Sequence, residues 1–153
     1  MLSWASVSEF VRFRSIRAVT ALHRVIGFAV VAVFALGWIW GLGARIGGRD
    51  PGDAFWTWLA AAQVVAGLQA VLGTILLLFG HRLDAEGVLG GTLHYVYGYL
   101  PLLLFAFAHV VARAGDAGAI GIDRPVRPWV PFAWASFISF GLTLRALMTG
   151  LGL

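Results

Sequence analysis

The sequence predicts an all-α integral membrane protein, a four-helix bundle threaded up and down through the bilayer. Three observations predict it. The chain is 60% hydrophobic and 12% charged, with a mean hydropathy of +0.87, against about 45–50% apolar and about 25% charged in an ordinary soluble chain. Four apolar runs, each near the ~20 residues that cross a bilayer, are separated by segments where glycine, proline and charge return. These runs consume nearly all of the 153 residues, which predicts a single membrane domain, 1–153, without a separate soluble unit. Short connections make successive helices antiparallel neighbours.

In chain order, residues 1–16 read as an amphipathic lead-in. Trp4, Phe10, Val11 and Phe13 interleave there with Glu9, Arg12 and Arg14, which suits a helix lying along the interface. A frayed, solvated terminus is the competing reading. The first span is expected from about Arg17 to Gly43, ending in GLGARIGGRDPGD. The second runs from about Ala54 to Phe79 and stops where HRLDAE restores charge. The third covers 89–113, and the polar stretch AGDAGAIGIDRPVRP leads to the fourth, from about Trp129 to Met148. Trp38 and Trp40 end the first span, Trp56 and Trp58 begin the second, and Trp129 and Trp134 begin the fourth. Up-and-down threading gathers all six at one membrane face, as an aromatic belt of lipid anchors requires.

Composition also excludes chemistries. There is no cysteine, hence no disulfide, thiolate metal site, iron–sulfur cluster or thioether-linked haem. The net charge of +4 comes from arginine alone, without lysine. Those arginines sit at span ends and in loops, as interface anchors rather than a nucleic-acid surface. No cleavable signal peptide is expected, because Glu9, Arg12, Arg14 and Arg17 interrupt the start. No phosphate loop, nucleophile–base pair or acidic metal cluster is legible, which predicts no catalytic residue and favours a non-catalytic subunit over an enzyme.

Two histidines inside apolar runs carry the functional argument, since an ionisable residue within a span marks a functional site. His23 lies about six residues into the first span and His94 about five into the third. These helices run parallel, so at ~1.5 Å rise per residue the imidazoles share nearly one depth. Each histidine has a glycine four residues on, Gly27 and Gly98, on the same helical face. Two imidazoles facing each other from different helices suit axial ligation of one haem b iron, and the glycines leave room for a flat macrocycle. Arg24 and Arg82 suit its propionates, and Tyr95 and Tyr97 could donate hydrogen bonds. Gln69 is the polar residue deep in the second span, able to bond across the bundle or approach the macrocycle. The competing reading is packing, with histidine as an interhelical hydrogen-bond partner and glycine for close approach.

His109 lies 15 residues beyond His94, some ~22 Å down the helix. Trp38 and Trp40 stand where a second haem would need its ligand, so His109 is expected at the far interface or against a partner or quinone. His81 opens the charged loop and is expected to be solvated or near a propionate edge.

LHRVIG at 22–27, GLQAVLG at 67–73 and LHYVYG at 93–98, in that order, resemble one four-helix half of the haem A synthase family, over about residues 17–113. The resemblance implies a haem-binding scaffold, with His23 and His94 matching axial histidines and Gln69 the glutamine of the intervening helix. The chain departs from the family in having Thr20 where the active half carries a glutamate, in lacking the cysteine pair, and in presenting one half only. ALHRVIG separately resembles the first span of succinate dehydrogenase membrane-anchor cytochromes.

Three functions stand as expectations. The first is a b-type cytochrome relaying single electrons as a subunit of a larger redox complex. The second is a haem-handling enzyme or assembly factor like haem A synthase. The third is a structural or chlorophyll-binding accessory subunit, since one histidine suffices for a chlorophyll magnesium. Expected partners are lipid, other membrane or redox subunits, a quinone, or a second copy of the chain, but not nucleic acid. The expected site is a bacterial or archaeal cell membrane. The N-terminal arginine cluster favours a cytoplasmic N-terminus, whereas the resemblance implies the opposite orientation.

Overall fold

The computed structural model describes residues 4–82, 90–117 and 122–153, with side chains left out at 4–13, 90, 116–117 and 122–124. Four α-helices dominate: α1 (Trp4–Ile46), α2 (Asp53–Leu78), α3 (Gly90–Ala114) and α4 (Trp129–Gly150). Each contains a stretch long and apolar enough to cross a membrane. The protein is a multi-pass integral membrane protein built as an all-α four-helix bundle.

The largest departure from the sequence expectation is at the start. Lead-in and first span form one continuous helix, Trp4–Ile46, because no proline or glycine interrupts residues 4–26. Its apolar stretch, Arg14–Ile46, exceeds what the hydrocarbon requires. The side chains on which the amphipathic lead-in was argued, 4–13, and the expected start of the third span at Leu89 lie outside what is described. α2 begins and ends one residue before its expected bounds, and α4 runs two residues beyond Met148. The polar stretch after α3 contains a two-stranded antiparallel ribbon, β1 (Asp116–Ala117) with β2 (Ile122–Pro125), which the sequence reading left as loop. Val126 N–H donates to the Gly115 carbonyl and extends this pairing, so backbone groups beside the interface are satisfied within the chain.

Helix ends are closed by backbone geometry. At the end of α2, Gly80 adopts φ 81°, a left-handed conformation that costs glycine little. His81 N–H then donates to Leu76 O and Gly80 N–H to Leu77 O, the Schellman pattern. This turn sets His81 and Arg82 at the bundle end.

α4 packs against both α1 and α3, and α1 against α2, whereas α2 and α3 meet least. α1 and α3 therefore lie diagonally, with the α2–α3 side the loosest seam. The two halves of the bundle differ along its axis. The half holding the α1–α2 connection is filled by buried apolar side chains, among them Phe34, Phe55, Leu59, Phe105 and Phe132. Phe34 and Phe105 stack with centroids 5.3 Å apart. The opposite half opens into a cleft, whose walls include Gly27, Gly73, Gly98 and Gly150. Outward positions such as Val25, Phe28, Val71 and Leu103 remain exposed, as a lipid-facing surface requires.

The tryptophans are less peripheral than an anchor belt implies. Trp129 is buried and donates from Nε1 to Asp50 Oδ1 at 2.9 Å. Trp58 donates to the Val33 carbonyl at 3.0 Å. Trp134, by contrast, is well exposed. An indole N–H inside hydrocarbon needs an acceptor, and here α1 and its following loop supply both.

Candidate cofactor cleft

All four helices line the cleft, a cavity of ≈ 210 Å³. α1 supplies Thr20, His23, Arg24 and Gly27; α2 supplies Ala66, Gln69, Ala70 and Gly73; α3 supplies His94, Tyr95, Gly98 and Tyr99; α4 supplies Thr143, Ala146, Leu147 and Gly150.

His23 and His94 face one another across it, with ring centroids 6.3 Å apart and planes inclined by 64°. Metal–imidazole bonds are about 2 Å long. A five-membered ring with bonds of ~1.3 Å puts its centroid about 1.1 Å behind the bonding nitrogen. Two imidazoles on opposite sides of one metal therefore need centroids roughly 6 Å apart, close to the separation found.

Each ring is seated on a glycine of the next helix. A Cβ at Gly73 would come 3.2 Å from His23 Cε1, and one at Gly150 would come 3.3 Å from His94 Cε1. The residue four positions earlier addresses a ring nitrogen in both cases. Gln69 Nε2 lies 3.4 Å from His23 Nε2, and the Ala146 carbonyl lies 2.9 Å from His94 Nδ1. The hairpins α1–α2 and α3–α4 thus place a partner at the same offset but in opposite roles: the Gln69 amide N–H donates to His23 Nε2, whereas the Ala146 carbonyl accepts from His94 Nδ1.

The His94 bond fixes a tautomer. A carbonyl can only accept, so Nδ1 carries the proton and Nε2 keeps its lone pair. This is the state a metal-binding imidazole requires, and such an orienting bond commonly accompanies one. On the other side, His23 Nδ1 and Gln69 Oε1 are buried without a hydrogen-bond partner among the described residues. Orphaned polar atoms in a membrane interior are costly, and two at one site point to a group that engages them.

Arg24 and Arg82 line the cleft beside His81 and are exposed, so the two guanidiniums give an apolar slot a cationic rim. No carboxylate lines it among the described residues. Thr20 spends its hydroxyl on the Ile16 carbonyl at 2.9 Å. The His94 donor and the slot's shape fit a flat, metal-centred macrocycle with an anionic edge, and His23 would join it by exchanging its Gln69 contact for the metal.

Comparison with protein-family models, curated proteins and solved structures found no match to this chain. The functional reading therefore stands on the site itself.

The cleft brings together His23, Arg24, Gly27, Gln69, Arg82, His94 and Gly98. Gly27 is buried, and a Cβ there would meet Gln69 Nε2 at 3.2 Å, whereas Gly98 has open space beside it. Tyr95 lines the cleft with its ring edge-on to His94, but Tyr97 is not among the lining residues. His109 lies in the filled half, its Nε2 3.3 Å from Gln63 Oε1 and its ring 4.8 Å from Phe132. The sequence reading missed Gly73, Gly150, the Ala146 carbonyl and Tyr99. Gly73 closes the GLQAVLG motif, four residues after Gln69, and that spacing was the available signal.

Proposed function

We propose that the protein is a membrane-embedded b-type cytochrome, holding one haem b between His23 and His94 and relaying single electrons within a larger redox assembly. The observation that carries this reading is the facing imidazole pair at 6.3 Å, each ring seated on a glycine, with His94 held in the ligand tautomer by Ala146. When bound, the haem supplies a one-electron iron couple.

The chain's own residues do the rest. His23 and His94 would hold the group through their ring nitrogens, and the Ala146 carbonyl orients and enriches the His94 ring. Gly27, Gly73 and Gly150 keep the slot thin. Arg24 and Arg82 would neutralise carboxylates at the rim. The packed aromatic half excludes water from below, and the resulting low dielectric contributes to setting the potential.

Two observations favour this over its alternatives. The active half of the haem A synthase family carries a glutamate, and the described lining provides no carboxylate. Two separate pigments, one per histidine, would need two macrocycle thicknesses where the rings stand 6.3 Å apart.

The test is a dithionite-reduced minus oxidised optical spectrum of the purified protein, with a pyridine extract to identify the macrocycle. The cytochrome reading expects sharp low-spin haem b bands, lost in both His23→Ala and His94→Ala. Persistence of those bands in both variants sinks it.

A further inference from the structure

The α2–α3 seam is the least packed side of the bundle, and the cleft lies behind it. Gly98 and Tyr99 line the cleft and are exposed, so the cleft is open beside this seam. No side chain within 4 Å would meet a Cβ at Gly98.

Among the described residues, two side-chain hydrogen bonds join α2 to α3. One is Gln63–His109, in the filled half. The other, Thr74–Tyr99, sits at the cleft, and each partner directly follows a lining glycine, Gly73 or Gly98. Thr74 Oγ1 also lies 2.8 Å from the Ala70 carbonyl. A threonine hydroxyl has a single proton, and the carbonyl can only accept. Thr74 therefore donates to Ala70 and accepts from Tyr99, whose phenol is the donor of the interhelical bond.

We propose that the α2–α3 seam is a lateral portal between the bilayer and the cleft, latched by the Tyr99–Thr74 hydrogen bond. Its traffic is a flat amphiphile: an apolar body passing between the helices while an anionic edge stays at headgroup level, where Arg24 and Arg82 form the rim. That the amphiphile is haem rests on the function proposed above; the portal itself rests on the seam. In hydrocarbon no water competes for the released hydroxyls, so the latch holds without extensive packing. Phenylalanine at 99 removes the donor, valine at 74 removes the acceptor, and serine at 74 keeps it.

The absence of native cysteine provides a readout independent of haem. A single Ala70→Cys variant, placing a thiol in the cleft lining, is reconstituted in nanodiscs and reacted with a membrane-partitioning maleimide. Labelling is expected to accelerate about five-fold when Tyr99→Phe or Thr74→Val is added, matching loss of about one net hydrogen bond. It should return to the parent rate with Thr74→Ser. Uptake of haem from lipid, followed by its absorbance in variants with native Ala70, should accelerate by a similar factor.

Equal labelling rates in the parent, Tyr99→Phe and Thr74→Val overturn the portal, whatever the haem result. Faster labelling in a protein that takes up no haem retains the portal and overturns the cytochrome reading. Circular dichroism of each variant establishes that the helices persist.

Discussion

Gly150 stands to His94 as Gly73 stands to His23: each is the floor on which an imidazole edge rests, 3.2–3.3 Å from where a Cβ would lie. The two floors belong to different hairpins, Gly73 to α1–α2 and Gly150 to α3–α4. A side chain at either position would displace the ring it supports.

Substituting these floors separates stability from binding. Alanine for glycine inside a helix gains about 0.8–1.0 kcal/mol of propensity, while the added methyl must push the imidazole by a few tenths of an ångström. Gly73→Ala is therefore expected to leave the melting temperature in detergent nearly unchanged while weakening haem retention. Gly73→Leu adds overpacking of about 1–3 kcal/mol and should lower both. Unaltered haem retention in Gly73→Leu would show that the ring does not depend on its floor.

Ser136 and Ser139 present buried hydroxyls with no partner among the described residues, facing neither cleft nor lipid. Burying a hydroxyl without compensation costs about 1–3 kcal/mol by mutational measures, and alanine conserves most of the volume. Ser136→Ala and Ser139→Ala are each expected to stabilise the protein, by about 1 kcal/mol. Thr143 is the contrast, since its hydroxyl donates to the Ser139 carbonyl at 2.7 Å; Thr143→Val should give no such gain. Unfolding titrations in mixed micelles measure all three.

Asp50 ties the α1–α2 connection to the start of α4 by accepting from buried Trp129 at 2.9 Å and lying 3.6 Å from Arg127. The ion pair is largely exposed on both sides and is worth about 0–1 kcal/mol at most. The indole bond serves a buried donor. Asp50→Ala is accordingly expected to destabilise by about 1–2 kcal/mol, within the range for an orphaned buried donor. Asp50→Asn, which retains an acceptor oxygen, should lose much less, and so should Arg127→Gln. Equal losses in Asp50→Ala and Arg127→Gln would assign the tie to charge instead.

The membrane bundle was legible because a spanning helix must be apolar over a length fixed by the bilayer, and four such runs are visible without any contact information. The His23–His94 pairing was legible for a related reason: parallel helices of similar entry depth bring equivalent positions level. Gly73 and Gly150 were not, because they sit on antiparallel neighbours whose register depends on side-chain packing. Gly150 also lies at the end of α4, where a glycine reads as a helix stop. The Tyr99–Thr74 bond needed the further knowledge that α2 and α3 stand apart. The continuity of α1 could have been read from the unbroken helix-compatible run over 4–26. The ribbon after α3 has only six strand residues in a glycine-rich stretch, too short for a period-two pattern to register.

The rim arginines give a prediction whose sign follows from charge alone. In the cytochrome reading, reduction removes one positive charge from the iron, so a nearby guanidinium favours the reduced state. Arg24→Gln and Arg82→Gln are each expected to lower the midpoint potential. Both side chains are exposed, so the effective dielectric is high, and at ~10 Å the interaction is a fraction of a kcal/mol. With about 59 mV for each tenfold change in a one-electron couple, the shift should be a few tens of millivolts at most. Ionic screening should shrink it further as salt rises from 0.01 M to 1 M, where the Debye length falls from about 30 Å to about 3 Å. Spectroelectrochemical titration of the two variants at both salt concentrations measures this directly. A potential unchanged on losing either arginine, at both salt concentrations, would place that guanidinium away from the redox centre and remove it from the rim assignment.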